Sequence, residues 1–328
     1  MSAELFCYDW QDLAFASKKP INSLRPIFIV APREISQLRF KQLIKTYLPQ
    51  GNIILGLAKE QYVFGFEGQP QFKMQQESPL NKIITQVNNS KLKNKIYQLH
   101  YRQRDLKYLF EQLDFKKVIL VNGSWKYAWH TQVSYYVLVN KKTDYELVSP
   151  FCDEPEALSF ERKVKNKIIA TNPVLPGKYS IPDMMRQTDL ASHYSYDYSF
   201  QTGAVLGQQS PTDKSKYKLL AWSFNKVVPF QTYAMHYGSS REKHFSPPND
   251  LNYYDTVHAE VMLILQAQRQ GIKLVGTTLF TNLLPCPNCA RMLCETPIVE
   301  FVYANDHSEG YAQQLLQAAG KNIWRLVI

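Results

Sequence analysis

Cysteine is scarce in this 328-residue chain: there are five, an odd number, and two of them stand only three positions apart. So sparse a set cannot staple a secreted disulfide scaffold, and it points instead to thiolate chemistry in a reducing compartment. Long hydrophobic runs are missing too; none approaches the roughly 18–20 residues that span a bilayer. The opening stretch MSAELFCYDWQDLAFASKK has no basic start leading into an apolar core. These absences predict a cytoplasmic protein with neither a secretory leader nor a membrane span. No GxGxxG occurs, and Gly177-Lys178 lacks the upstream glycine and the following Ser/Thr of a phosphate-binding loop. No repeat recurs at a fixed period.

What is present is globular: 45% hydrophobic and 13% aromatic residues. A single hydrophobic core stops growing at roughly 250–300 residues, so the length predicts two domains. The formal net charge of +10 predicts attraction to anions, whether nucleotide phosphates or nucleic acid. Between Lys82 and Lys117, nine Lys or Arg face three acids, Asp105, Glu111 and Asp114. That run reads either as a solvated helix face or as a nucleic-acid surface.

Short β-branched runs at 26–31, 52–58, 62–66, 117–121 and 135–139 read as strands. Ile35, Leu38, Leu43, Ile44 and Tyr47 recur at helical spacing after the first of them. Strands alternating with helices predict an α/β domain over residues 1–175, of unknown role. His130, set among aromatics in WKYAWH, reads as a packed histidine. The stretch TNPVLPGKYSIP from Thr171 to Pro182, with three prolines and a glycine, predicts the boundary. A second domain over 176–328 then opens with a helix capped by Asp183 and continues with strands at 202–206 and 217–224.

The chemistry concentrates in Val257-His258-Ala259-Glu260 and, 28 positions after the histidine, Pro285-Cys286-Pro287-Asn288-Cys289. Val261, Leu263, Ile264 and Leu265 make a helix of which His258 occupies the first turn, ending near Gly271. After a buried strand at 274–284, Cys286 opens a second helix, and Cys289 shares its face. One imidazole and two thiolates from adjacent helix starts suit a tetrahedral Zn2+, and three protein ligands leave the fourth position for water. Helix starts also favour thiolates. Glu260, two residues after a ligand, is then a candidate catalytic proton carrier. Cys294, five residues beyond Cys289, points elsewhere and reads as core.

His-x-Glu, a strand and Pro-Cys-x-x-Cys in this order resemble the zinc-dependent cytidine/deoxycytidylate deaminase superfamily, over residues 183–328. Gln201-Thr202-Gly203-Ala204-Val205 is similar to the first family strand, and Trp222-Ser223-Phe224-Asn225 to the end of the second. TLFTNLLPCPNCARML resembles the metal-binding stretch of deoxycytidylate deaminases. IVEFVYAND and AQQLLQAAGKNIWRL resemble the closing strand, helix and strand. Met262, Ser223 and Phe224 depart from the family pattern.

The resemblance implies a cytidine-deaminase-like α/β/α sandwich with a mixed central sheet. It implies Zn2+ held by His258, Cys286 and Cys289, and substrate contacts from Asn225, the Ala259 N–H and the backbone near Leu284 and Pro285. The implied reaction is hydrolytic deamination of a small-molecule cytosine nucleotide (dCMP or CMP), with zinc-bound hydroxide as nucleophile and Glu260 moving protons. Relatives often assemble, so a homo-oligomer is compatible with it. Two other readings stay open: a cytosine or adenine deaminase acting on nucleic acid, and an inactive zinc-containing binding module.

Overall fold

The computed structural model describes residues 6–247, 250, 252–306 and 309–327. The opening five residues of the leader reading, and parts of the segment 226–256, lie outside them. Two compact units form, Met1–Glu161 with Thr232–Tyr254, and Arg162–Gln231 with Asp255–Ile328. This differs from the expected division at 175. The first divide falls within the helix Glu154–Thr171, and residues 232–254 return to the first unit. Lys178–Ser180, inside the Pro/Gly stretch, is a strand paired antiparallel with Lys216–Lys218, so that stretch is built into the second unit.

The first unit is a parallel sheet of β1 (Cys7–Asp9), β2 (Ile27–Ile29), β3 (Ile53–Ala58), β4 (Ile96–Tyr101), β5 (Lys117–Val121) and β6 (Tyr145–Val148), in the order β1-β4-β3-β2-β5-β6. Every ladder is parallel. β2, β3 and β5 are almost entirely buried, which explains their continuous apolar sequences. Two expected strands are not strands. Residues 135–139 lie in the helix Val133–Asn140, because a parallel step from β5 to β6 needs a crossover that leaves and re-enters the sheet. Residues 62–66 form a loop with one isolated bridge, Tyr62 to Lys73.

β4 instead runs through the basic stretch. Lys91, Lys93 and Lys95 precede it and Arg102 and Arg104 follow it, so six strand residues, roughly 20 Å, separate the two groups. Lys95 Nζ is engaged by the Asn88 and Ser90 carbonyls, and Lys117 by Glu146. Five of the nine basic residues thus stand in two groups, one at each end of β4. His130 is packed as expected, its Nε2 2.9 Å from the Ser246 carbonyl and its ring against Phe245.

The second unit contains β7 (Lys178–Ser180), β8 (Gly203–Gln209), β9 (Lys216–Phe224), β10 (Lys226–Val227), β11 (Thr256–Val257), β12 (Thr278–Leu283), β13 (Glu300–Asn305) and β14 (Asn322–Arg325). Its main sheet has the order β14-β13-β12-β8-β9-β7. It is mixed: β12, β13 and β14 run parallel, while β8 is antiparallel to β12 and β9. Alternating strand residues feed two cores. Ala204, Leu206, Leu279 and Phe301 pack with Leu263, Leu293 and Leu316 of the helices Ala259–Arg269, Pro287–Cys294 and Tyr311–Ala318. Val205, Phe280 and Val302 pack on the other face with Met184 and Met185 of the helix Ile181–Ser192. The sheet is thus sandwiched between helices.

The cap of that last helix is Ser180 rather than Asp183: the Ser180 hydroxyl accepts from the Asp183 N–H and donates to its carboxylate at 2.7 Å. The helix lies so close on β8 that a Cβ at Gly203 would stand 1.9 Å from the Thr188 carbonyl oxygen. Only glycine fits there. Among the described residues, no helix is long and apolar enough to cross a membrane.

Candidate metal centre

Two helix starts in the second unit converge on one point. His258 is the N-cap of Ala259–Arg269 and Cys286 the N-cap of Pro287–Cys294, each in extended conformation one residue ahead of the expected first turn. β11 pairs with β10 through Val257 and Lys226 and so fixes the approach to His258. The Cys286 sulfur accepts from the Cys289 N–H, in place of a Ser or Asp cap. Cys289 follows on the same helix face.

His258 Nδ1 lies 3.4 Å from each sulfur. The three donor atoms are all within 4.8 Å of one another. Tetrahedral bonds to zinc would place nitrogen and sulfur about 3.5 Å apart, so this donor set can hold the ion with little movement. Cys294 does not join it; its sulfur faces the Leu315 carbonyl, in agreement with a packing role.

The electrostatics suit a cation. The Cys286 thiol is lowered to about 4, first because the Cys289 thiol donates to its sulfur and then because the His258 imidazole and the Cys289 N–H do so. Cys289 is pushed far upward by that neighbouring thiolate, by burial and by Glu260. A divalent metal would claim both sulfurs as thiolates, because it binds the deprotonated form. His258 is raised by its bond with Cys286. Glu260, only 3% exposed in the first turn of its helix, is pushed up by burial.

Asn225, expected to meet substrate, is engaged within the protein. Its Oδ1 accepts from the Ala259 N–H at 3.0 Å, and its Nδ2 donates to the Phe200 carbonyl at 3.1 Å. The Ala259 N–H, expected to receive a pyrimidine carbonyl, therefore already has an acceptor. Ser223 donates to the Ala259 carbonyl at 2.6 Å, which gives this departure from the family pattern a structural place. Two residues of β9 and the turn after it thus tie down the helix start that carries His258 and Glu260. Leu284 is buried and its N–H bonds the Asn305 carbonyl; Pro285 has no N–H. Backbone there offers an amine only carbonyl oxygens.

Residues 193–198 are expected from the sequence to continue the helix that opens near Asp183, to an end near Tyr198. The helix stops at Ser192, and Tyr194, Tyr196 and Tyr198 are buried. Ser195 donates to the Asn225 carbonyl, and the Asp197 carboxylate accepts from the Ser199 and Phe200 N–H groups while adding negative potential at His258. Three alternate tyrosines were the available signal.

Residues 183–305 match the family model of the cytidine and deoxycytidylate deaminase zinc-binding region. The chain is 28% identical over 87 residues to the deoxycytidylate deaminase of Enterobacteria phage T2, covering 26% of this chain and 46% of that protein. It is 35% identical over 79 residues to a probable deoxycytidylate deaminase of Drosophila melanogaster, covering 24% of this chain and 36% of that protein. The matches thus span less than half the length of these relatives. Among solved structures, the dCMP deaminase of cyanophage S-TIM5 in complex with dCMP and dUMP is similar over 44% of this chain and 95% of that chain, at 18% identity and a TM-score of 0.34.

Proposed function

We propose, from the premise that residues 183–305 belong to the zinc-dependent cytidine and deoxycytidylate deaminase superfamily, that this chain hydrolyses the 4-amino group of a cytosine nucleotide. The observation that carries the proposal is the convergence of His258, Cys286 and Cys289 beside a buried carboxyl, Glu260. His258, Cys286 and Cys289 would hold Zn2+, which when bound would supply Lewis acidity and lower the pKa of a water molecule to about 7.

Glu260 does the proton work. Burial raises its affinity for a proton, which brings a carboxylate closer to the range where it both accepts and returns one. It takes a proton from the attacking water and gives it to the ring nitrogen beside the reacting carbon. A second transfer, to the 4-amino nitrogen, lets ammonia leave and the carbonyl of uracil form. The carbonyl oxygens of Leu284 and Pro285 are the backbone acceptors for the departing amine. Asn225 acts as a positioning residue, because its amide sets the start of the helix that carries Glu260. A mononucleotide is the preferred substrate, since five of the nine basic residues that would have held a nucleic acid are divided between opposite ends of β4.

Glu260→Gln tests this assignment. The variant keeps its zinc and loses about 10²- to 10⁴-fold in turnover, the usual worth of a general acid-base group. Turnover within a few-fold of the parent at full zinc content would remove Glu260 from the mechanism.

A further inference from the structure

The first unit carries a site of its own. Its chain order reverses between β2 and β5: from β2 the strands proceed to β3 and β4 on one side, and from β5 to β6 on the other. In an open parallel sheet the crevice outside the carboxyl ends at such a reversal is where ligands bind. A cavity of about 460 Å³ lies there, walled by Val30 and Ala31 after β2 and by Ser124 to Tyr127 after β5. Pockets for small molecules occupy roughly 300–1,000 Å³.

Its chemistry is aromatic and cationic. Tyr101, Trp125, Tyr127 and Trp129 line it, with Lys126 and Arg104; no carboxylate side chain is among the lining residues, though the Arg104 Nε stands 3.6 Å from the Asp105 carboxylate beside the cavity. The aromatic wall is fixed in place. Glu242, itself 4% exposed, accepts from Trp125 Nε1 at 2.7 Å and from the Trp129 N–H at 3.1 Å, and the two indoles stand 5.4 Å apart. Trp129 is only 4% exposed, yet its Nε1 has no hydrogen-bond partner. A buried indole donor without an acceptor is uncommon, and a ligand acceptor arriving along that wall would pair with it.

The anionic end has its own partners. Lys126 Nζ sits 5.6 Å from the Phe66 ring and 5.4 Å from the Tyr127 ring, and no carboxylate pairs with it among the described residues. Gln132 and Ser134, at the start of Val133–Asn140, also line the cavity, and the N-cap of that helix makes no side-chain capping bond. Its N–H groups and dipole favour an anion. Phosphate would be held here by side chains and a helix start, and such an arrangement leaves no glycine-rich motif in the sequence.

We propose that this cavity binds a nucleoside phosphate, the base against the Trp125, Tyr127 and Trp129 wall and the phosphate between Lys126, Arg104 and the start of Val133–Asn140. A nucleotide joins a planar ring with hydrogen-bond acceptors to an anion, the two features the lining asks for together.

The test is calorimetric titration of the full chain with adenosine, guanosine and uridine mono- and triphosphates, beside adenosine, inorganic phosphate and 4-hydroxybenzoate. At least one nucleotide should bind, with adenosine and phosphate each at least tenfold weaker, since neither spans both halves of the site. Lys126→Glu and Arg104→Glu should each weaken that nucleotide at least tenfold, as expected when a charge-assisted contact is reversed. Their zinc content and melting temperature should match the parent. The Arg104 side chain is 78% exposed, so Arg104→Glu carries the test if the other variant fails to fold. Absence of nucleotide binding at millimolar concentration overturns the proposal. Binding undiminished in Arg104→Glu, or 4-hydroxybenzoate bound as tightly as any nucleotide, does so as well.

Discussion

Replacing Asn225 by alanine separates a clamp on the helix start from a direct contact with substrate. The change removes the acceptor of the Ala259 N–H and the donor to the Phe200 carbonyl. Ala259 is fully buried, so water cannot take over its N–H. A buried donor left in this way costs about 1–3 kcal/mol. Phe200 is half-buried, and water can reach its carbonyl, which adds about 0.5–1 kcal/mol. The sum, about 1.5–4 kcal/mol, falls on the residue next to His258, so it should be felt at the metal. The assay is urea-induced zinc release, followed with a chromophoric chelator. With a slope of about 1–3 kcal/mol per molar urea, the midpoint should fall by about 0.5 M or more. An unchanged midpoint together with a raised KM would refute the clamp and return Asn225 to the substrate.

Two further outcomes test the metal centre and the division into units. Cys286→Ala should lose zinc and destabilise the second unit, because metal binding and local folding are linked; Cys294→Ala, whose sulfur faces Leu315 instead, should keep full zinc by metal analysis. Excision of residues 232–254 should leave a second unit, residues 162–231 joined to 255–328 by a short Gly-Ser linker, that folds and binds zinc. The Val228 N–H already bonds the Asp255 carbonyl at 2.9 Å, so the cut ends are near neighbours. An unfolded or zinc-free product would show that the insert is required.

The metal centre was legible in the sequence because its information is local. His258 and Glu260 lie on one helix start, Cys286 and Cys289 on another, and Leu279 and Phe280 of the strand between them mark its two buried faces. Residues whose partners are distant in sequence were read less well. The resemblance implies a substrate contact for Asn225, and nothing near it in sequence discloses its bond with Ala259, 34 residues away. Residues 135–139 have a β-branched, aromatic composition that suits a strand, yet the crossover between parallel neighbours makes them helical. Conversely, β4 was hidden in its basic surroundings, since only Ile96, Gln98, Leu99 and Tyr101 of it are buried. The interleaving of the two units depends on where residues 232–254 pack. That is settled by contacts such as Glu242 with Trp125, which no local pattern announces.

The most direct test of the deaminase account is to incubate the zinc-loaded chain with dCMP in water enriched in oxygen-18 and to follow product mass and ammonia together. The account predicts dUMP carrying one heavy oxygen, one ammonia for each dUMP formed, and loss of both signals in Glu260→Gln at unchanged zinc content. Unaltered dCMP and no ammonia, from protein holding one zinc per chain, would contradict it.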